Sequence, residues 1–375
     1  MRADPKNQCV ALVTHSLDRG GSPMSLWNLA RKLDGWKRIV ISEKEGPMRE
    51  KFEQSGCTVL ILPRTGFFQI GLIWNFIRIF REHRVNLAHL NTLTSYYKYA
   101  ALAAWIKRIP VIWFIRENVT EKRCLKLHRW IKNISTFIVP VSREIARSLY
   151  PEGVPPKVRV IYNGIEEASG GTGSSDMRAT LGLPSDVAVV GCVAALEERK
   201  GVADLIEAVR LLKAQNGNFH LVCLGKDRSR SQSYRTALEK QVREAGLESR
   251  VHFLGDHPDP LAVYPEFDLF VLPAYWEGCA RTLLEAMLQK CPVITTFAGG
   301  NPEVIKNGET GLVVPAGDPV ALAGAIQTLL TDRAFALHLA EAAHRDWHAR
   351  FTLDEHVRNV LDAYHAALKQ TIEAR

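Results

Sequence analysis

LFVLPAYWEGCARTLLEAMLQKCPVITT, residues 269–296, begins with an apolar run, Leu269–Leu272, that stops at Pro273. Glu277 and Gly278 follow, then a segment with helical spacing that carries Glu285, then a second apolar run, Pro292–Thr296. Short continuous apolar runs flanked by breakers read as buried strands, and the segment between them reads as a helix. Strand, helix and strand in that order make the repeating unit of a parallel sheet covered on both faces. The two carboxylates fall at the corner of this unit, Glu277 in the loop after a strand and Glu285 on the helix the loop enters.

The same alternation extends in both directions. Upstream lie VAVVGCVAAL (187–196), a helix from Gly201, HLVCLG (220–225), a helix near Gln232–Ala245, and VHFLG (251–255). Helices close the chain over Pro319–Leu330, Phe335–Arg350 and Asp354–Lys369. Before residue 166 the pattern runs independently: CVALVTHS (9–16), the turn DRGG (18–21), and a helix to Arg31 with Ser22 as N-cap and Pro23 as first helical residue. Strands follow at RIVIS (38–42), Thr58–Leu62, Asn86–Leu90, Val111–Ile115 and Phe137–Val141, with a helix near Met48–Gln54. KVRVIYNGI (157–165) ends this half, and EEASGGTGSSD (166–176) is a Gly/Ser-rich linker. The expected organisation is α/β: two doubly wound, Rossmann-like domains facing a central cleft. Residues 1–165 form the first, 166–185 the linker and 186–350 the second. Residues 351–375 form a C-terminal helix that packs back on the first domain. In such folds ligands bind beyond the carboxyl ends of the strands.

Composition sets the limits. The 375 residues are 46% hydrophobic and 23% charged, the values of a globular protein with room for two cores. No apolar stretch reaches the roughly 18–20 residues of a spanning helix; the nearest, Phe67–Phe80, is broken by Gln69, Asn75 and Arg78. MRADPKNQ at the start is too polar for a secretory signal. Seven scattered cysteines without a CxxC pair point to a reducing cytoplasm. The net charge of +8 is unevenly shared: residues 1–165 hold 27 Lys and Arg against 12 Asp and Glu, leaving 21 against 28 for the rest. A +15 half beside a −7 half predicts that the first domain faces something anionic.

A helix starting just after Gly278 turns unpaired N–H groups toward the cleft, which suits a phosphate or diphosphate. Two carboxylates would repel that group, so they suit hydroxyls on another part of the same ligand. A diphosphate carrying two sets of sugar hydroxyls is a nucleotide sugar. By spacing alone an equal alternative stands, with Glu277 as a cap and Glu285 as a surface residue.

Longer stretches carry a resemblance. EGCARTLLEAM followed by CPVITTFAGGNPEVIKNGETGLVVPAGDPVALAGAI is similar to the donor-binding signature of the retaining glycosyltransferases of family 4, with its E-x7-E motif and two-domain GT-B fold. RGGSPMSLWNLARKL, VSREIARSLYPEGVPPKVRVIYNGI, RKGVADLIEAVRLL and VHFLGDHPDPLAVYPEFDLFVLPAYWEG resemble the family's other passages, in the family's order. The resemblance implies transfer of a sugar from a nucleoside-diphosphate sugar to an acceptor hydroxyl with retention, in bacterial cell-surface polysaccharide synthesis (lipopolysaccharide, O-antigen or exopolysaccharide). Glu277 would lie at the transferred sugar, Glu285 at the ribose hydroxyls and Lys200 at the diphosphate. Gly20, Gly21, Gly278, Arg281, Thr282 and Leu283 would shape the donor site, and Leu254 would border the base. His89, at a strand end resembling the family's D-x-x-H-x-H, would contact the sugar or acceptor; as a residue it reads equally well as a satisfied strand-end histidine. Arg116, Glu117 and Asn91 would bind the acceptor. The usual arginine five residues before the lysine is Ala195 here, and Arg199 is its possible substitute.

No cofactor and no metal is implied. His344 and His348 have zinc-ligand spacing but no third ligand. The expected partners are the nucleotide-sugar donor, a glycan or lipid-linked acceptor and, for the basic domain, an anionic membrane surface. The expected location is cytoplasmic, peripheral at the inner face of the cytoplasmic membrane. A helix with Trp74, Phe76, Ile77 and Phe80 beside Arg78, Arg81 and Arg84 reads either as membrane-lying or as half core, half solvated. Competing readings are an epimerase or soluble-acceptor synthase on the same scaffold, and a non-catalytic subunit that keeps the fold. Nucleic-acid binding lacks any signature motif.

Overall fold

The computed structural model describes residues 8–64, 70–119, 132–167, 176–213, 218–228, 233–257 and 259–373. Two compact units emerge: residues up to Ile165 together with Leu353 onward, and Glu166–Thr352. Most of the Gly/Ser linker, residues 168–175, lies outside the described residues.

The first unit is built on β1 (Gln8–Thr14), β2 (Trp36–Ser42), β3 (Thr58–Ile61), β4 (Leu87–Leu90), β5 (Val111–Ile115) and β6 (Phe137–Pro140). They form one parallel sheet in the order β3-β2-β1-β4-β5-β6. The order reverses direction at β1, so the loops after β1 and β4 diverge and open a crevice at the carboxyl ends. Every residue of β1, β4, β5 and β6 is buried, which is why their sequences are apolar without alternation. Helices α1 (Gly21–Ala30), α2 (Arg49–Gln54), α3 (Ile70–Glu82), α4 (Tyr97–Ile106) and α5 (Arg143–Leu149) connect the strands.

Helix α1 starts at Gly21 rather than after Ser22, and no side chain caps it. The Ser22 carbonyl and hydroxyl instead accept bonds from Asn91 Nδ2, at 3.0 and 2.8 Å. A long-range partner has displaced the local capping geometry that the Ser-Pro pair predicts. Helix α3 settles the two readings of the basic aromatic segment only in part: Leu72, Phe76, Ile79 and Phe80 are buried, whereas Ile70 and Trp74 are more than 60% exposed. Burying Phe76 and Phe80 contributes about 2–3 kcal/mol each.

The second unit holds α6 (Met177–Thr180), β7 (Ala188–Val193), α7 (Val202–Lys213), β8 (Phe219–Leu224), α8 (Tyr234–Glu244), β9 (Val251–Gly255) and β10 (Leu269–Leu272). It continues with α9 (Arg281–Leu288), β11 (Val293–Thr296), α10 (Asn301–Val304), β12 (Leu312–Val314), α11 (Pro319–Thr331) and α12 (Arg333–Arg350). Its parallel sheet has the order β12-β11-β10-β7-β8-β9, the same topology as the first. The switch point lies between β7 and β10, where the carboxylate-bearing corner begins.

The last helix, α13 (Leu353–Glu373), belongs to the first unit. Its start is tied by the Leu353 N–H to the Ile165 carbonyl at 2.8 Å, and by His356 Nδ1 to the Tyr162 carbonyl at 2.7 Å. Tyr364 and Val360 are fully buried. Among the described residues no single helix is long and apolar enough to cross a membrane.

Candidate functional site

The corner of the second unit is assembled by close backbone approaches. Glu198–Lys200 forms a short 3-10 turn that ends at Gly201, which has φ +68°. A Cβ on Gly201 would stand 2.1 Å from the Pro273 carbonyl oxygen at the end of β10. Only glycine tolerates both the left-handed backbone and this approach, so the glycine after Lys200 is a packing requirement. Tyr275 N–H donates to the Arg199 carbonyl at 2.9 Å and fastens the two loops together.

The consequence is that Lys200 and Glu277, far apart in sequence, form a hydrogen-bonded ion pair through Nζ and Oε1. Their side chains are only 14% and 12% exposed. Arg199 stands 3.5 Å from the same oxygen, but it is 49% exposed and is held by Glu197 at 2.7 Å. Arg199 therefore does reach the group that Lys200 reaches, as a looser second cation. The Glu277 carbonyl accepts from Gly300 N–H at 2.8 Å, so the loop after β11 holds the carboxylate loop from the other side.

Glu285 sits one turn into α9, 9% exposed. Its Oε2 accepts from the Tyr264 hydroxyl at 3.0 Å and its Oε1 faces Arg281 Nη2 at 3.4 Å. Tyr264 is fully buried, and burial, then Glu285 itself, holds its phenol well above the ordinary value. It is therefore a permanent hydrogen-bond donor that orients Glu285. No side chain caps the first turn of α9, and an uncapped start offers main-chain N–H groups to an anion. Thr282 and Arg281 are half-buried there, while the Leu283 side chain is fully buried, so only its backbone faces that start. Gly278 is buried in the loop, and Leu254 is 38% exposed at the end of β9. The arrangement places cations and main-chain donors beside two oriented carboxylates, which suits a ligand bearing both phosphate and hydroxyls.

In the first unit, the carboxyl ends of β4 and β5 bring Asn91, Arg116 and Glu117 together. Arg116 Nε donates to the Asn91 carbonyl at 3.1 Å, and its Nη1 bonds Asn163 Oδ1. Its guanidinium also lies over the Phe114 ring at 5.2 Å. Glu117 Oε2 accepts from the N–H groups of Leu93 and Arg116 at 3.0 and 3.1 Å. Burial nonetheless pushes its carboxyl above the ordinary range. Gly20 leads into α1 in an extended conformation and Gly21 is its first residue.

His89 requires correction. Its ring is completely buried, stacked on Phe114 at 4.4 Å, with Nδ1 2.7 Å from the Tyr364 hydroxyl of α13. A strand end looks open in sequence, but the returning helix covers it, and the imidazole is enclosed by protein. His15, absent from the sequence reading, holds the more open place after β1: its Nδ1 lies 3.3 Å from the Tyr97 hydroxyl and it is only half-buried. Asn163 and Tyr264 were also missed. Their contacts join segments 47 and 21 residues apart, which no local spacing encodes. His344 stacks on Trp347 at 5.8 Å, and among the described residues no group of three His, Cys, Asp or Glu side chains could hold a metal ion.

Residues 174–346 match the family Glycosyl transferases group 1, and residues 19–169 match Glycosyltransferase Family 4. The chain is 33% identical over 195 residues to the lipopolysaccharide core biosynthesis mannosyltransferase LpcC of Rhizobium leguminosarum bv. viciae, covering 52% of this chain and 55% of that protein. It is 26% identical over 197 residues to LpsB, another lipopolysaccharide core biosynthesis mannosyltransferase, from Rhizobium meliloti, covering 52% and 56%. The chain thus spans about half the length of the curated relatives it matches. Among solved structures, Anabaena Alr3699/HepE in complex with UDP and glucose superposes with a TM-score of 0.85 at 23% identity, over 96% of this chain and 100% of that one. At that identity the likeness establishes the fold.

Proposed function

The chain belongs to the glycosyltransferases, through group 1 over residues 174–346 and family 4 over residues 19–169, and on that premise we propose that it transfers a sugar from a nucleoside-diphosphate sugar to an acceptor hydroxyl. The observation that carries this reading is the pairing of Lys200 with Glu277 beside the Tyr264-oriented Glu285, all at one end of one sheet. In this mechanism the donor diphosphate takes Lys200 and the uncapped start of α9, Glu285 accepts from the ribose hydroxyls, and Glu277 is released to position the sugar. Charge building on the departing diphosphate is stabilised by Lys200 and main-chain N–H groups, fixed before reaction. Retention follows from same-face attack, with the leaving phosphate taking the acceptor's proton. A double displacement would need a carboxylate on each side of the anomeric carbon, and Glu285 is committed to ribose. No metal is required, so chelation with EDTA should leave turnover unchanged.

The direct test is thermal shift with a panel of nucleoside diphosphates, UDP included. A ligand at 100 times its Kd raises stability by about 2.7 kcal/mol. The shift should vanish in Glu285→Ala. A parent protein indifferent to every nucleoside diphosphate would sink the reading.

The acceptor is a glycan or lipid-linked glycan of bacterial cell-surface polysaccharide, consistent with the lipopolysaccharide relatives, and is bound by Arg116, Glu117 and Asn91. The enzyme works in the cytoplasm, peripherally at the inner face of the membrane. Support comes from the +15 half and from exposed Ile70 and Trp74 on the same helix as Arg78 and Arg81. Such a face joins apolar insertion to attraction for anionic lipid. The protein should co-sediment with phosphatidylglycerol vesicles at low salt, bind less in Trp74→Ser, and be released at about 0.5 M salt, where the screening length falls to about 4 Å. Failure to sediment even at low salt would remove the membrane from this account without touching the donor site.

A further inference from the structure

Asn91 Nδ2 faces the Ser22 carbonyl, which can only accept, so the carboxamide orientation is fixed and Oδ1 points the other way. Asn91 Oδ1 is buried, and His89 Nε2, two residues earlier in the chain, is buried as well; neither has a hydrogen-bond partner among the described residues, and Asn91 is the side chain whose hydrogen bonding acts on the His89 ring. Leaving both unsatisfied would cost the desolvation of each group without a compensating bond. The two atoms would satisfy one another, on a small rotation of either side chain, if His89 carries its proton on Nε2. Nδ1 is then an acceptor, matched to the Tyr364 hydroxyl 2.7 Å away. The opposite tautomer would set a nitrogen lone pair against a carbonyl oxygen.

We propose that His89 is a positioning residue, a permanently neutral Nε2–H imidazole that links Tyr364 on α13 to the Asn91 carboxamide and, through it, to Ser22 at the Gly20–Gly21 turn. The chain runs Tyr364 O–H to His89 Nδ1, His89 Nε2–H to Asn91 Oδ1, and Asn91 Nδ2–H to Ser22. It continues sideways, because the Asn91 carbonyl also accepts from Arg116 Nε. Phe114 clamps the imidazole by stacking and in turn lies under the Arg116 guanidinium. The groups facing the ring from neighbouring elements are Tyr364 and His356 of α13, Arg116 after β5 and Asn91 after β4. Burial, then the Arg116 and His356 charges, holds the imidazole well below its ordinary pKa, in keeping with a neutral ring. The last helix, which the chain reaches only after completing the second unit, thereby sets the first glycine-rich turn and the arginine of the first unit.

Two measurements test this. In 15N spectra one of the 12 histidines should keep the Nε2–H neutral signature from about pH 5 to 8, and only that signal should move in Tyr364→Phe. Hydrogen exchange then reads the transmission at the Met24 N–H, which bonds the Gly20 carbonyl at 3.0 Å. His89→Asn, whose amide reaches only the Nδ1 position, should speed exchange there about tenfold, a loss of one ordinary hydrogen bond. His89→Gln, whose amide nitrogen occupies the Nε2 position, should restore it to within about threefold. Protection of β5 should be unchanged in both. Equal exchange at Met24 in all variants, equal loss in Asn and Gln, or a histidine signature of the Nδ1–H form would each overturn the proposal. Tyr364→Phe keeps the ring and the packing, so its spectrum and exchange decide the matter even if the His89 variants fold poorly.

Discussion

Lys200→Ala is expected to lower sugar transfer about 100- to 1,000-fold, a loss of roughly 2.7–4 kcal/mol of transition-state stabilisation, comparable to removing one preorganised donor from an oxyanion site. The reason lies in what surrounds the ammonium. Lys200 is largely shielded from water and pairs with a Glu277 that is equally shielded, so its field acts through protein as well as solvent. Arg199 cannot replace it: it is half exposed, engaged by Glu197, and 3.5 Å from the shared oxygen. The place of the arginine usual in the family is Ala195, so in the proposed mechanism Lys200 would be the principal charge on the departing diphosphate. Lys200→Arg should recover little, because a planar fork does not reproduce a compact ammonium at the same point. Steady-state rates with donor and acceptor give the answer, alongside binding of the nucleoside diphosphate. A kcat within about threefold of the parent would take Lys200 out of the chemistry.

Much of this site is readable before any coordinates. Lys200, Glu277 and Glu285 stand at strand ends and at a helix start, places that hydrophobic periodicity locates well, and the strands of both sheets are apolar because both faces are covered. The partners are harder to see. Tyr264 lies in a proline-bearing 3-10 segment, Pro260–Glu266, with no periodicity to mark it. His89 looked open because its strand ends at Leu90. What closes over it is Tyr364, 275 residues later. The N-cap expected at Ser22 failed for the same reason, since Asn91 competes for that serine from a different strand. Local rules describe what a residue can do with its neighbours, and at this site the deciding neighbours arrive from elsewhere in the chain.

Gly299→Ala should be nearly as damaging as the loss of Lys200, by a different route. Gly299 has φ +56°, and a Cβ there would lie 2.1 Å from the Glu277 carbonyl oxygen. The left-handed backbone costs an alanine about 1–2 kcal/mol, and relieving the clash costs roughly 1–3 kcal/mol more. The combined loss, about 3 kcal/mol, corresponds to a fall in the melting temperature of the second unit of roughly 6–12 °C. The backbone that must move is the Glu277 loop itself, held by the neighbouring Gly300 N–H at 2.8 Å. The ion pair with Lys200 therefore moves with it, and activity at a temperature where the variant is fully folded should still fall about 100-fold, as misplacement by about 1 Å can cause. Gly308→Ala separates the two causes. Gly308 has φ +75° but nothing within 4 Å of a built Cβ, so it should lose about 1 kcal/mol of stability and no activity. If the two variants melted and turned over alike, backbone strain alone would explain both, and the close packing of the Gly299 loop on Glu277 would have no part in holding the carboxylate.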